Sequence, residues 1–217
     1  MTYSISARCP DTGAFGIAIT TSSICVGARC AWVGPAGVVA TQNLTDPALG
    51  PLGLSLLAQG MGAAGVAAQL AAGTRGPEHR QIAVVDRYGN TGWHTGAKAL
   101  AVAKDAQGAG AVALGNLLAD PGVPAAMVAA FAAAKGETLA ERLVRGLEAG
   151  KRAGGETGPE RSAALLVSTG LVWPVVDLRV DWHDAPIQEL RRFWELYRPQ
   201  QAAYEARAAN PGAAPGF

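Results

Sequence analysis

The chain has 217 residues and a mass of 22.1 kDa, enough for one domain with a full core. Apolar residues make up 49% and mean hydropathy is +0.16, which excludes wholesale disorder. Eighteen basic against seventeen acidic side chains leave a net charge of +1 with no basic cluster, which excludes a nucleic-acid footprint and argues against a membrane-surface role.

Residues 2–8 alternate, with Tyr3, Ile5 and Ala7 on one face and Thr2, Ser4, Ser6 and Arg8 on the other, the period of a half-buried strand. Pro10-Asp11-Thr12-Gly13 turns the chain, and Phe15 to Thr21 reads as the partner strand of a hairpin. Gly37 to Gln42 is a further strand. From Pro51 the period becomes helical, and Gly60-Met61-Gly62 divides the stretch into two short helices. Gln81 to Asp86, the turn Arg87 to Asn90 and Thr91 to Thr95 form a second hairpin; Ala111 to Leu114 is another strand. Ala125 to Lys135 reads as a small-residue helix ended by Gly136.

Thr138-Leu139-Ala140-Glu141 has the form of a capping box, opening a helix whose stripe is Leu139, Leu143 and Leu147 and whose expected stop is Gly150. Ser162 to Val167 and Leu171 to Val180 pair across Ser168-Thr169-Gly170. Asp184 is expected to cap a last helix from Ile187 to about Arg207. Strands and helices joined mostly by hairpin turns describe an α+β protein with antiparallel sheets, a single domain over 1–207 and a flexible Pro/Gly-rich tail over 208–217. With no long apolar run and no apolar stretch at the N-terminus, neither a membrane span nor a signal peptide is expected, and the protein reads as cytoplasmic.

Few motifs carry chemistry. Gly60-Met61-Gly62-Ala63-Ala64-Gly65 matches G-x-G-x-x-G with Asp86 downstream, but a helix precedes it where a dinucleotide site needs a strand. His79, His94 and His183 lack metal-ligand spacing, so no metal is expected. Asp177, Arg179 and Asp181 share one strand face and read as a salt-bridged ladder. Cys9, Cys25 and Cys30, odd in number and without C-x-x-C spacing, read as inert thiols. Thr2 is small enough for Met1 to be removed. Its hydroxyl would then lie beside a free α-amine titrating near about pH 8, the threonine–amine form of activated nucleophile.

Several stretches carry a resemblance. They include Met1-Thr2-Tyr3-Ser4-Ile5, Thr12-Gly13-Ala14-Phe15-Gly16, Ala40-Thr41-Gln42, His79-Arg80-Gln81 and His94-Thr95-Gly96. Others are Gly115-Asn116-Leu117-Leu118-Ala119, Ala153-Gly154-Gly155 and Asp177-Leu178-Arg179-Val180-Asp181. In order and spacing the chain resembles the DUF1028 proteins, a group placed in the N-terminal-nucleophile hydrolase superfamily. It departs from them at Cys9, where relatives carry Asp, and at Gly154-Gly155-Glu156, where Gly-Gly-Asp is expected.

The resemblance implies a four-layer αββα sandwich of two stacked antiparallel sheets, and hydrolysis of a small amide without cofactor. It implies Thr2 as nucleophile. Asn116, following a glycine at a strand end, is the first candidate for an oxyanion donor. Thr20, Ser22, Thr41, Gln42, Asn43, Arg80 and Ser162 are candidates for substrate contact or for support of the site. A homo-oligomer is expected, with a small-molecule amide as the partner. The alternative is a non-catalytic ligand-binding or assembly protein on the same scaffold.

Overall fold

A computed structural model describes residues 1–108 and 110–213. The first sheet takes the order β10-β9-β2-β1-β8-β7, where β1 is Thr2–Arg8, β2 Phe15–Thr21, β7 Lys104–Gly108, β8 Ala111–Asn116, β9 Ser162–Ser168 and β10 Val176–Val180. The second sheet is β3-β4-β5-β6, comprising Ala31–Gly34, Gly37–Asn43, Arg80–Asp86 and Thr91–Thr95. All pairings are antiparallel. Helices α1 (Val26–Arg29), α2 (Leu49–Ala58), α3 (Ala63–Gly73), α4 (Val123–Ala133), α5 (Leu139–Arg152), α6 (Pro186–Tyr197) and α7 (Gln201–Ala209) complete the chain.

Three buried clusters define the layering. Tyr3, Ile5 and Ala7 of β1 pack with Met127 and Phe131 of α4, Leu143 and Leu147 of α5, and Leu190 and Trp194 of α6. Ile17 and Ile19 of β2 meet Val38, Ala83 and Val85 between the sheets. Val39, Ile82 and Val84 pack under Leu56, Leu57, Val66 and Leu70 of α2 and α3. Helices, sheet, sheet and helices therefore stack in four layers, an α+β sandwich. No described helix is long and apolar enough to cross a membrane.

Several sequence expectations are corrected. β1 is buried on both faces, because its Thr2/Ser4/Ser6 side meets the second sheet instead of water. The short strand β3 and the polar edge strand β7 gave no apolar alternation; charged, exposed residues suit an edge. Gly150 does not stop α5. It lies inside the helix where a Cβ would press on Met127 Cγ at 2.9 Å and Tyr3 Cε2 at 3.0 Å. The last helix is two, since Pro199 lacks the amide a continuous helix needs and a 3-10 turn at Arg198–Gln200 separates α6 from α7. Its N-cap is Ala185, while Asp184 pairs with Arg161. In the stretch assigned to a tail, residues up to Ala209 complete α7, a 3-10 turn spans Pro211–Ala213, and 214–217 lie outside the described residues.

Candidate functional site

Strand pairing places Thr2 at one end of the six-stranded sheet. In register it faces Thr21 of β2 on one side and Asn116 of β8 on the other, and Thr21 in turn faces Ser162 of β9. Thr2 is only 5% exposed. Its Oγ1 donates to the Met1 carbonyl oxygen at 2.5 Å and lies 3.1 Å from Thr21 Oγ1. The Thr21 hydroxyl donates to the same Met1 oxygen, so one carbonyl oxygen is held by two hydroxyls.

Below this end, neutral side chains bridge the two sheets. Ser4 Oγ donates to Gln42 Oε1 at 2.7 Å, and Gln42 Nε2 donates to Gln81 Oε1 at 3.1 Å. Asn116 Nδ2 donates to the same Gln81 oxygen at 3.0 Å, and Gln81 Nε2 donates to the Gly115 carbonyl at 3.0 Å. All four residues are buried, and Asn116 Oδ1 alone of their side-chain atoms is buried without a partner. Such a network fixes side-chain positions, because each buried amide left unpaired would cost about 1–3 kcal/mol.

Two carboxyls enter from the loop after α5. Gly154 (φ +122°) and Gly155 (φ +62°) adopt backbone open mainly to glycine, and the chain folds back so that Glu156 bridges to Leu118. Glu156 Oε2 accepts from the Ser22 amide at 3.2 Å, and Oε1 is buried without a partner. Burial pushes its carboxyl up to about 8; the charge of the amino terminus offsets part of this and the Glu160 carboxylate adds to it. Glu160 accepts from the Tyr3 hydroxyl at 3.1 Å and from Lys151 Nζ at 2.5 Å. Burial, with Glu160 beside it, pushes the Tyr3 phenol well above its usual range.

The candidates named from the sequence divide into two groups. Thr2, Asn116, Ser22 and Gln42 converge on this end. Thr20 and Ser162 hold α1 against the sheet: Thr20 Oγ1 donates to the Ser162 carbonyl at 2.8 Å, while Ser162 Oγ donates to the Ser23 carbonyl at 2.6 Å and accepts from the Val26 amide at 3.1 Å. Thr41 lies 3.2 Å from the Thr45 hydroxyl and donates to the Asp46 carbonyl at 3.3 Å, shaping the loop before α2. Asn43 donates to the His79 carbonyl and accepts from the Leu100 amide, and Arg80 donates to the Arg75 and Leu44 carbonyls. Those last two tie loops together.

Thr21, Gln81, Glu156, Glu160 and Ser4 were missed. A signal existed for Gln81, a polar residue beside the apolar run of β5, whereas Ser4 sits on a polar stripe that reads equally well as facing water. Thr21 needed the register of β1 against β2, and Glu156 needed the fold of a glycine loop.

The remaining motifs resolve into structure. Asp86 Oδ2 accepts from the Ala63 amide at the start of α3 at 3.1 Å and Oδ1 from the Tyr88 and Asn90 amides, so the acid downstream of the glycine motif caps a helix and a turn. Arg179 pairs with Asp177 on its own strand at 2.6 Å. His94 Nε2 lies 2.8 Å from the Pro77 carbonyl and His183 Nδ1 accepts from the Ala185 amide. The three cysteines are free thiols.

The sequence matches the family of unknown function DUF1028 over residues 2–190. Among solved structures it is similar to a DUF1028-family protein from Silicibacter pomeroyi, at 33% identity over 90% of this chain and 88% of that chain, with a TM-score of 0.82. A weaker likeness, to Anbu (ancestral beta-subunit) from Yersinia bercovieri, has 10% identity over 99% of this chain and 98% of that chain, with a TM-score of 0.37. No curated protein matches it significantly. The chain belongs to the DUF1028 family.

Proposed function

We propose that this DUF1028 protein is an amidohydrolase of the N-terminal-nucleophile type, in which Thr2, freed of Met1, cleaves a small amide or acyl-amino compound. The observation that carries this reading is the Met1 carbonyl oxygen held jointly by the Thr2 and Thr21 hydroxyls. An environment that holds one carbonyl oxygen beside Thr2 Oγ1 is suited to presenting a substrate carbonyl to the same atom, with Thr21 and the second amide hydrogen of Asn116 as donors for the developing oxyanion.

In the proposed reaction Thr2 Oγ1 bonds to the amide carbon while its proton passes to the α-amine. The carbon–nitrogen bond then breaks as the ammonium returns that proton to the leaving amine. Water attacks the resulting ester with the α-amine as base, releasing the acid and restoring the hydroxyl. Glu156 has a place in this scheme. Burial favours the neutral form of this carboxyl, which lies near enough to the amino terminus to feel its charge.

Removal of Met1 must precede folding on this reading, since Thr2 is buried in a strand paired on both sides. The test is intact mass spectrometry of untagged protein before and after exposure to a β-lactone, with peptide mapping. Loss of Met1 and one adduct on Thr2 supports the enzyme. Retention of Met1, or a mature chain unlabelled by several acylating probes, overturns it in favour of a non-catalytic binding protein.

A further inference from the structure

The opposite end of β1 gathers positive charge around an open cavity. Arg8 closes the strand, Arg142 comes from the first turns of α5, and Lys135 follows α4; together with Asp11 and Tyr88 they line a space of about 390 Å³. Arg142 also lines the adjoining cavity, so its guanidinium stands between the two.

Arg142 is 6% exposed, and among the described residues its guanidinium meets the Phe131 carbonyl, to which Nε donates at 3.2 Å, and the Phe131 ring 3.9 Å away. Arg8 Nε is buried without a hydrogen-bond partner, and the Phe15 ring is 6.0 Å from its guanidinium carbon. None of the ion pairs among the described residues includes Arg8, Lys135 or Arg142. A buried guanidinium without a counter-charge is costly, and proteins pair such groups almost without exception. The ring face offsets part of that cost, and the cavity that Arg142 lines leaves room for an anion to meet its terminal N–H groups. Glu141, the preceding residue, is equally buried and has three donors, so the same turn of helix can supply partners where the fold requires them.

We propose that this cavity is an anion site for the phosphate group of a small phosphorylated compound, independent of the chemistry at Thr2. Two guanidiniums and an ammonium against the one carboxylate of Asp11 leave an excess of two positive charges, matching the roughly −1.5 to −2 of a phosphate monoester at neutral pH. Guanidinium forks bind phosphate oxygens in pairs. A volume of about 390 Å³ also accommodates an organic body. Asp11 accepts hydroxyls from that body and repels a second carboxylate.

The test is calorimetric titration of the full chain with inorganic phosphate, a hexose phosphate, sulfate and citrate at fixed ionic strength. Hexose phosphate should bind saturably and more tightly than inorganic phosphate. Arg142→Gln should weaken it about tenfold or more, as loss of a charge-assisted hydrogen bond does. Lys135→Ala, at an exposed position that cannot disturb the core, should weaken it a few-fold. Thr2→Ala should leave it unchanged. No saturable binding, binding undiminished in both cation variants, or binding lost in Thr2→Ala would each overturn the site. Citrate binding more tightly than either phosphate would overturn the ligand class.

Discussion

The two ends of β1, a strand of seven residues, are built from opposite chemistry. At the Thr2 end, hydroxyls and amides satisfy one another, and carboxyls arrive from a neighbouring loop. At the Arg8 end, cations surround a cavity and, among the described residues, no acid forms an ion pair with them. A net charge of +1 conceals this polarity along the sandwich. One end is suited to holding a neutral carbonyl in place, the other to drawing in a negative group.

The sharpest way to break the comparison is at Thr2. Thr2→Ala should abolish acylation by the lactone and lower amide turnover at least about a thousandfold, with the circular dichroism and melting temperature of the parent. Thr2→Ser should retain labelling. Equal labelling of Thr2→Ala would move the nucleophile elsewhere and leave the Thr2 end as packing alone.

Next in size is the contrast between Glu141 and Arg142, adjacent residues of α5. Glu141 accepts from Arg191 Nη1 at 2.7 Å, Arg145 Nε at 2.7 Å and Trp194 Nε1 at 2.9 Å. Burial alone would raise its carboxyl, but these donors hold it down at about 2. Glu141→Ala should cost about 3 kcal/mol, because it strands the buried Trp194 N–H and takes one of two acid partners from Arg191. Arg142→Gln should cost only about 1–2 kcal/mol, the worth of its ring contact and packing, since no carboxylate loses a partner. Urea titrations of both variants decide it; equal losses would mean that Arg142 has a structural partner after all.

A smaller effect is expected at Gln81, where β5 meets β8 across the interior. Gln81→Ala removes an acceptor shared by Gln42 and Asn116 and should cost about 2–3 kcal/mol, with reduced Thr2 labelling as Asn116 loses its anchor. Gln81→Glu keeps the acceptor but places a charge in the buried layer, and should be worse than alanine at neutral pH.

Much of this frame was legible in the sequence. Period-two alternation located β1, turn signals and apolar runs located β2, β5 and β9, and the Gly60–Gly62 break between α2 and α3 and the Thr138 cap of α5 were read correctly. What alternation could not show is that the Thr2/Ser4/Ser6 face of β1 is interior. A polar stripe looks the same whether water or a second sheet's glutamines satisfies it. The site was half legible for a related reason. Thr2 and Asn116 can be proposed as residue types, but their adjacency is a matter of register, and Thr21 is distinguished from Thr20 only by pairing. Arg8 and Arg142 are separated by most of the chain, so their common cavity left no local trace.

The last prediction concerns pH and sets the two buried acids against each other. Glu141 has a folded value below its ordinary 4.5, so its contribution is full above that point and is lost as pH falls through about 2. Glu156 has the opposite sign. Its native form keeps the proton to about pH 8, whereas the unfolded chain releases it near 4.5, so folding takes up a proton in between. Stability therefore declines as pH rises across that window and levels off above it. Glu156→Gln, which fixes the neutral form with nearly the same shape, should match the parent at pH 4 and melt several degrees higher at pH 8.5, at about 2–4 °C per kcal/mol for a chain of this size. Parallel melting curves at all pH values would mean that Glu156 is ionised in the folded protein. The amino terminus would then face a full negative charge, and burial would not govern the protonation of Glu156.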